Sequence, residues 1–262
     1  MNIKTKKVTD RIGEAMQKQG NLLSIYFTAG YPELQDTLPI LRELQKTGVD
    51  IIEIGLPFSD PLADGPTIQQ SSLAALKNGM TTKILFDQLR GVRPEIHIPL
   101  ILMGYFNPVL QFGVEAFCRE CQEVGIDGLI LPDLPLEIYE KEYRPIFEQY
   151  GLKMIFLITP QTSAERIRKI DAASDAFIYM VSSASTTGAR EGFEASAESY
   201  FQRISEMKLK NPQIVGFGIS NAQTFSEATR FARGAIIGSA FIKNISENGI
   251  SGISPFINSL RP

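Results

Sequence analysis

Eight short apolar runs recur along this chain, at 22–30, 49–55, 98–105, 125–133, 151–160, 174–182, 212–220 and 233–240. Between them, residues at 33–46, 68–77, 82–91, 114–124, 138–150, 164–172, 193–208 and 221–231 show helical spacing of apolar side chains. So unbroken an alternation leaves few topologies open. Runs that are apolar at both parities, as at Ile51, Ile52 and Ile54, suit parallel strands covered on both faces. Eight of them within 262 residues are the expected signature of a closed (β/α)8 barrel, the TIM barrel. A doubly wound open sheet is the main alternative. No linker, low-complexity tract or second apolar core interrupts the pattern, so residues 1–262 read as a single barrel domain. Helical spacing at 8–18 adds a helix before the first strand, a short extra helix is expected after the eighth, and an amphipathic segment at 251–260 closes the chain.

Charge and composition narrow the ligand. Net charge is −3, and the only basic cluster is Lys4, Lys6 and Lys7, so nothing points to nucleic acid or an anionic membrane surface. The N-terminal lysines precede no apolar signal core, and no stretch approaches the ~18 apolar residues of a membrane span. A soluble cytoplasmic protein with a small ligand is expected. Cys118 and Cys121 form a C-x-x-C, but they fall within FCRECQEVG, an amphipathic helix, and with His97 they fall short of the four ligands of a structural zinc site. His97 reads as a surface or edge residue.

The chemistry-bearing stretch is IIEIGLPFSDPLADGP, 51–66. Glu53 stands inside an apolar strand, where a carboxylate costs several kcal/mol unless it is paired or protonated. It is therefore either half of a buried ion pair or a tuned acid or base. Gly55, Pro57, Pro61 and the Asp64-Gly65 pair then break both regular patterns and form a long loop carrying Asp60 and Asp64. Asp before Pro and Asp before Gly are also ordinary turn chemistry.

Barrels of this class place their sites at the C-terminal ends of the strands. Sorted by that rule, Gly216 and Gly218 follow strand seven, and Gly238 and Ser239 follow strand eight. Glycine-freed N–H groups with a helix N-terminus suit a phosphate there, although tight turns alone would also explain the glycines. The segment 182–192, SSASTTGAREG, is small and hydroxyl-rich and suits a loop closing over an anion. Tyr26, Met103, Ile130, Ile155 or Phe156, and Tyr179 supply bulk that could wall a flat aromatic pocket. No lysine ends a strand, since Lys153 begins the fifth, and no His/Asp/Glu cluster offers a metal site. Carboxylate acid–base catalysis on a phosphorylated substrate remains. If a C–C bond breaks, the substrate must carry its own electron sink.

These residues resemble a family. EIGLPFSDPLADGPTIQ (53–69), LILMGYFNP (100–108), LILPDLP (129–135), TTGAR (186–190), GFGIS (216–220) and IIGSA (236–240) together are similar to the tryptophan synthase α subunits, in order and over essentially the whole chain. The resemblance implies retro-aldol cleavage of indole-3-glycerol phosphate to indole and glyceraldehyde 3-phosphate. Protonated at C3, the indole ring is itself the electron sink, which fits the missing lysine and metal. By the same resemblance Glu53 is the acid–base group serving C3 and the glycerol hydroxyl, and Asp64 holds the ring N–H and stabilises positive charge there. Tyr26, Met103, Ile130, Tyr179 and Thr187 match the substrate pocket, Gly188, Gly218, Gly238 and Ser239 the phosphate site, and Asp60 a loop or interface residue. No cofactor is implied in this chain. Pyridoxal phosphate is expected in a partner β subunit that receives indole within an α2β2 heterotetramer, with the 53–65 and 182–192 loops at the regulated face. One departure is visible: where the family carries Arg and Gly ahead of Val-Thr-Gly, this chain reads Ser183-Ala184-Ser185-Thr186-Thr187-Gly188. The altered flanks bear on loop closure and on coupling to the partner. A related barrel synthase or isomerase, or a non-catalytic phosphate-binding regulatory subunit, are the other readings.

Overall fold

The computed structural model describes residues 9–62, 64–182 and 195–261. Asp10 starts the first helix, α1 (Arg11–Met16), its Oδ1 accepting from the Gly13 N–H at 2.8 Å. The alternation then runs β1 (Leu22–Thr28), α2 (Thr37–Lys46), β2 (Ile51–Gly55), α3 (Pro66–Lys77), α4 (Thr82–Leu89), β3 (Leu100–Met103), α5 (Phe106–Phe112), α6 (Val114–Val124) and β4 (Gly128–Ile130). It continues with α7 (Leu136–Ile138), α8 (Arg144–Gln149), β5 (Lys153–Ile158), α9 (Ala164–Ala173), β6 (Ile178–Val181), α10 (Ala195–Glu206), β7 (Gln213–Gly216), α11 (Ala222–Thr229), β8 (Gly234–Ile237), α12 (Ser239–Asn248) and α13 (Ile253–Leu260).

All eight strands pair in parallel with their sequence neighbours, and β8 closes on β1, with Leu22 opposite Gly234. The open-sheet alternative is thereby excluded. Two apolar layers follow from the two parities of each strand. Leu23, Ile25, Phe27, Ile52 and Ile54 face outward into the shell under the helices. Ile51, Ile101, Ile130, Ile155, Ile214 and Ile236 fill the barrel interior, with Tyr26 and Tyr179. Ile12 and Ala15 of α1 join that inner cluster and plug its N-terminal end. There Asp127, just before β4, accepts from Arg11 at 2.8 Å, Arg93 at 2.5 Å and the Leu100 N–H at 2.8 Å. This end is built for stability and leaves the other mouth for chemistry.

The sequence reading differs from the structure in places with physical causes. The helix α5 is not among the segments read as helical from the spacing. Pro108 sits in its first turn, where no N–H is needed, and the Phe106 N–H is held by both oxygens of the Asp133 carboxylate at 2.9 and 3.0 Å. That cap comes from the loop after β4 and is invisible locally. The helix expected at 138–150 is split by a π-helical stretch, Tyr139–Tyr143, ahead of Pro145, which has no N–H to continue the ladder. The extra helix after β8 is ten residues long rather than short. Cys118 and Cys121 lie buried on α6, where burial pushes the Cys118 thiol up to about 12, and His97 is exposed.

Candidate active site at the C-terminal mouth

In β2, Glu53 sits opposite Tyr26 of β1 and Ile101 of β3, pointing into the barrel. It is 0% exposed. The ion-pair reading does not hold: Oε1 accepts from the Ser24 hydroxyl at 2.8 Å, and Oε2 has no partner. Burial without a counter-charge disfavours the carboxylate, and it lifts the Glu53 pKa from 4.5 to about 7 against the opposing Ser24 hydrogen bond. A group that is half-protonated near neutrality can both give and take a proton.

Above this layer a cavity of about 290 Å³ opens at the C-terminal ends of the strands. Tyr26, Asp64 and Met103 line it, with Tyr105, Leu157, Val181 and Phe217. Asp64 is partly buried, and burial raises its pKa to about 6, with the Tyr105 hydroxyl, donating at 3.2 Å to Oδ2, pulling the other way. Glu53, Ile130 and Tyr179 do not line the cavity. They lie in the layer that forms its floor, with Ile130 in register with Met103 and Ile155. The site is thus two-storeyed, with Asp64 in the cavity wall and Glu53 beneath it.

The loop carrying Asp64 is held by contacts that the sequence alone does not show. Phe58 stacks on Tyr105 at 4.9 Å between ring centres, and Gln69 Nε2 donates to the Asp64 carbonyl at 2.9 Å. Asp60 is exposed, accepts from the Ser59 hydroxyl at 2.5 Å and makes no contact with the cavity, in keeping with a loop role. Leu62, near the loop tip, is 89% exposed.

At the candidate anion site, Gly218 has φ +73°, a left-handed conformation that favours glycine, and Gly238 immediately precedes Ser239, the first residue of α12. The start of α12 has no side-chain cap, so its first N–H groups are free to meet an anion beside the end of β7. Gly216 has a different reason to be glycine: a side chain there would collide with the ring of Tyr179. Phe217, missed in the sequence, also takes a left-handed φ of 70° and has its carbonyl held by the Ser182 hydroxyl at 2.7 Å. Thr187 and Gly188 lie outside the described residues.

A closed (β/α)8 barrel with a buried, singly hydrogen-bonded carboxyl under its C-terminal cavity and a second carboxylate in the wall has the layout of a barrel enzyme. A family profile described as "Tryptophan synthase alpha chain" matches residues 12–254. The tryptophan synthase alpha chain of Flavobacterium johnsoniae is 64% identical over 252 residues, covering 96% of this chain and 100% of that one. The crystal structure of the alpha chain from Legionella pneumophila superposes with a TM-score of 0.87 at 31% identity, covering 97% of this chain and 96% of that one. Tryptophan synthase from M. tuberculosis, in its aminoacrylate-bound form, gives a TM-score of 0.84 at 28% identity over 96% of this chain and 98% of that one. The chain belongs to the tryptophan synthase alpha chain family.

Proposed function

We propose that this chain is the lyase subunit that cleaves indole-3-glycerol phosphate into indole and glyceraldehyde 3-phosphate, with Glu53 as the proton-transfer group. The observation that carries the proposal is Glu53 itself, fully buried under the cavity, unpaired at Oε2 and poised near pH 7. The substrate's ring lies in the cavity against Tyr26 and Met103, with Ile130 and Tyr179 supporting the floor. Protonated Glu53 delivers its proton to C3 of the indole, and the positive charge that develops on the ring nitrogen is met by the Asp64 carboxylate. Glu53, now ionised, takes the proton of the hydroxyl on the carbon attached to C3. The C–C bond breaks, its electrons return to the ring, and indole leaves beside an aldehyde. One carboxyl gives one proton and regains one, so the cycle balances.

The phosphate is assigned to Gly218, Gly238 and Ser239, where the N-terminus of α12 supplies N–H donors and the favourable end of its dipole. By the resemblance Gly188 completes the phosphate set and Thr187 belongs to the substrate pocket; both lie outside the described residues. Among the described residues no group of three or more His, Cys, Asp or Glu is placed to hold a metal ion, and no helix is long and apolar enough to cross a membrane. The family implies a β subunit as partner. An α2β2 assembly, pyridoxal phosphate in the β subunit and a cytoplasmic setting belong to the same proposal. Leu62, Leu73, Leu110 and Ile138, exposed large apolar side chains among the described residues, all follow β2, β3 or β4, and a partner covering them is part of the same proposal.

Indole release from indole-3-glycerol phosphate, measured for the chain alone and with a β subunit, tests this reading. Release that rises with the partner supports it. Binding of the substrate without turnover in either condition would leave only a regulatory role.

A further inference from the structure

The interior of this barrel is lined mainly by isoleucines and aromatic rings, and a buried serine, Ser24, lies among them low in β1. Ser24 is 0% exposed and sits opposite Ile51, two register pairs, and so one inward-facing layer, below the Tyr26 and Glu53 pair. Its register partners on the two flanking strands are both isoleucines, Ile51 of β2 and Ile236 of β8. A hydroxyl there must be desolvated, which apolar packing alone does not offset. Its one hydrogen bond explains it: Ser24 Oγ donates to Glu53 Oε1 at 2.8 Å, while Glu53 Oε2 is buried and unpartnered.

From this we infer that Ser24 is a positioning residue for the lyase reaction, anchoring Oε1 of Glu53 from below so that Oε2 alone exchanges the proton with substrate. This rests on the acid–base role proposed for Glu53 and specifies how that role is set. A glutamate carboxyl on three rotatable bonds would otherwise present either oxygen in several orientations, and an acid that serves both a ring carbon and a neighbouring hydroxyl gains from one fixed orientation. The hydrogen bond also favours the ionised carboxylate, opposing the apolar surroundings.

Ser24→Thr and Ser24→Val test the inference as a pair, because the two replacements have the same shape and differ only in the hydroxyl. In the full chain, assayed by indole release, Ser24→Thr is expected to keep the wild-type pH profile of kcat/KM. Ser24→Val is expected to lose roughly tenfold in kcat and to move the alkaline limb of the profile upward by about half a unit to one unit. The Glu53 carboxyl band in infrared difference spectra, assigned by its loss in Glu53→Gln, should titrate at correspondingly higher pH in Ser24→Val. A purely structural serine would change stability and leave the limb and the band in place. A Ser24→Val protein that is folded and matches Ser24→Thr in kcat, limb and band overturns the inference while Glu53→Gln remains inactive. An active Glu53→Gln overturns the inference together with the acid–base reading beneath it.

Discussion

The hydroxyl of Tyr105, just beyond β3, donates to Oδ2 of Asp64 at 3.2 Å, and its ring stacks on Phe58 from the same loop. One side chain therefore both braces the loop after β2 and tunes the carboxylate that the loop carries. Removing the hydroxyl in Tyr105→Phe takes away a bond to the ionised form, so Asp64 titrates above its present value of about 6. The acid limb of kcat/KM should move upward by roughly half a unit, checked by indole release between pH 5 and 8.

Asp64→Asn keeps the shape and removes the charge. The positive charge forming on the ring nitrogen loses its counter-charge, and kcat should fall by ~10²-fold or more. The same variant should lose the acid limb near pH 6, since in the parent that limb marks ionisation of Asp64. Steady-state profiles of parent and variant check both outcomes.

Gly216 ends β7 beneath the ring of Tyr179, which fills the space of any side chain placed there. Both lie in the packed interior, so Gly216→Ala should destabilise the fold by about 1–3 kcal/mol. Urea unfolding followed by far-ultraviolet circular dichroism measures this. Gly48, where nothing lies near the added methyl but φ is +76°, gives a comparison in which backbone strain acts alone.

Glu53 makes the barrel pay for its chemistry. Its folded pKa of about 7 lies above the ordinary 4.5, so the folded state holds the proton more tightly than the unfolded one. This contribution to stability is fully present below about pH 4.5 and is lost as the pH rises through 7. At pH 8 the ionised group costs the fold roughly 3 kcal/mol. Glu53→Gln should therefore be more stable than the parent at pH 8 by about that amount, with the difference closing below pH 5. Denaturant midpoints at the two pH values decide it.

The barrel was legible because its signal is distributed. Eight runs apolar at both parities, separated by helical spacing, need no single residue to be read correctly. Glu53 and Asp64 were legible for the opposite reason, as acids where an apolar strand or a broken loop makes them conspicuous. What stayed hidden depends on pairs distant in sequence. Ser24 looks unremarkable inside LLSIYFTAG until Glu53 is placed beside it. Asp133 caps α5 from another loop, and Tyr105 matters through Phe58 and Asp64. Gly216 and Gly218 read alike in GFGIS, yet the first accommodates Tyr179 and the second a left-handed turn. The floor-and-wall arrangement of Glu53 and Asp64 likewise follows from strand register, which spacing along the chain does not reveal.

The central claim is that Glu53 moves the protons of the cleavage. Its most direct test is indole release from indole-3-glycerol phosphate by Glu53→Gln near pH 7, on protein shown to be folded by the same denaturant curve as above. The account predicts a loss of ~10²-fold or more, with substrate binding retained. Turnover close to that of the parent would contradict it.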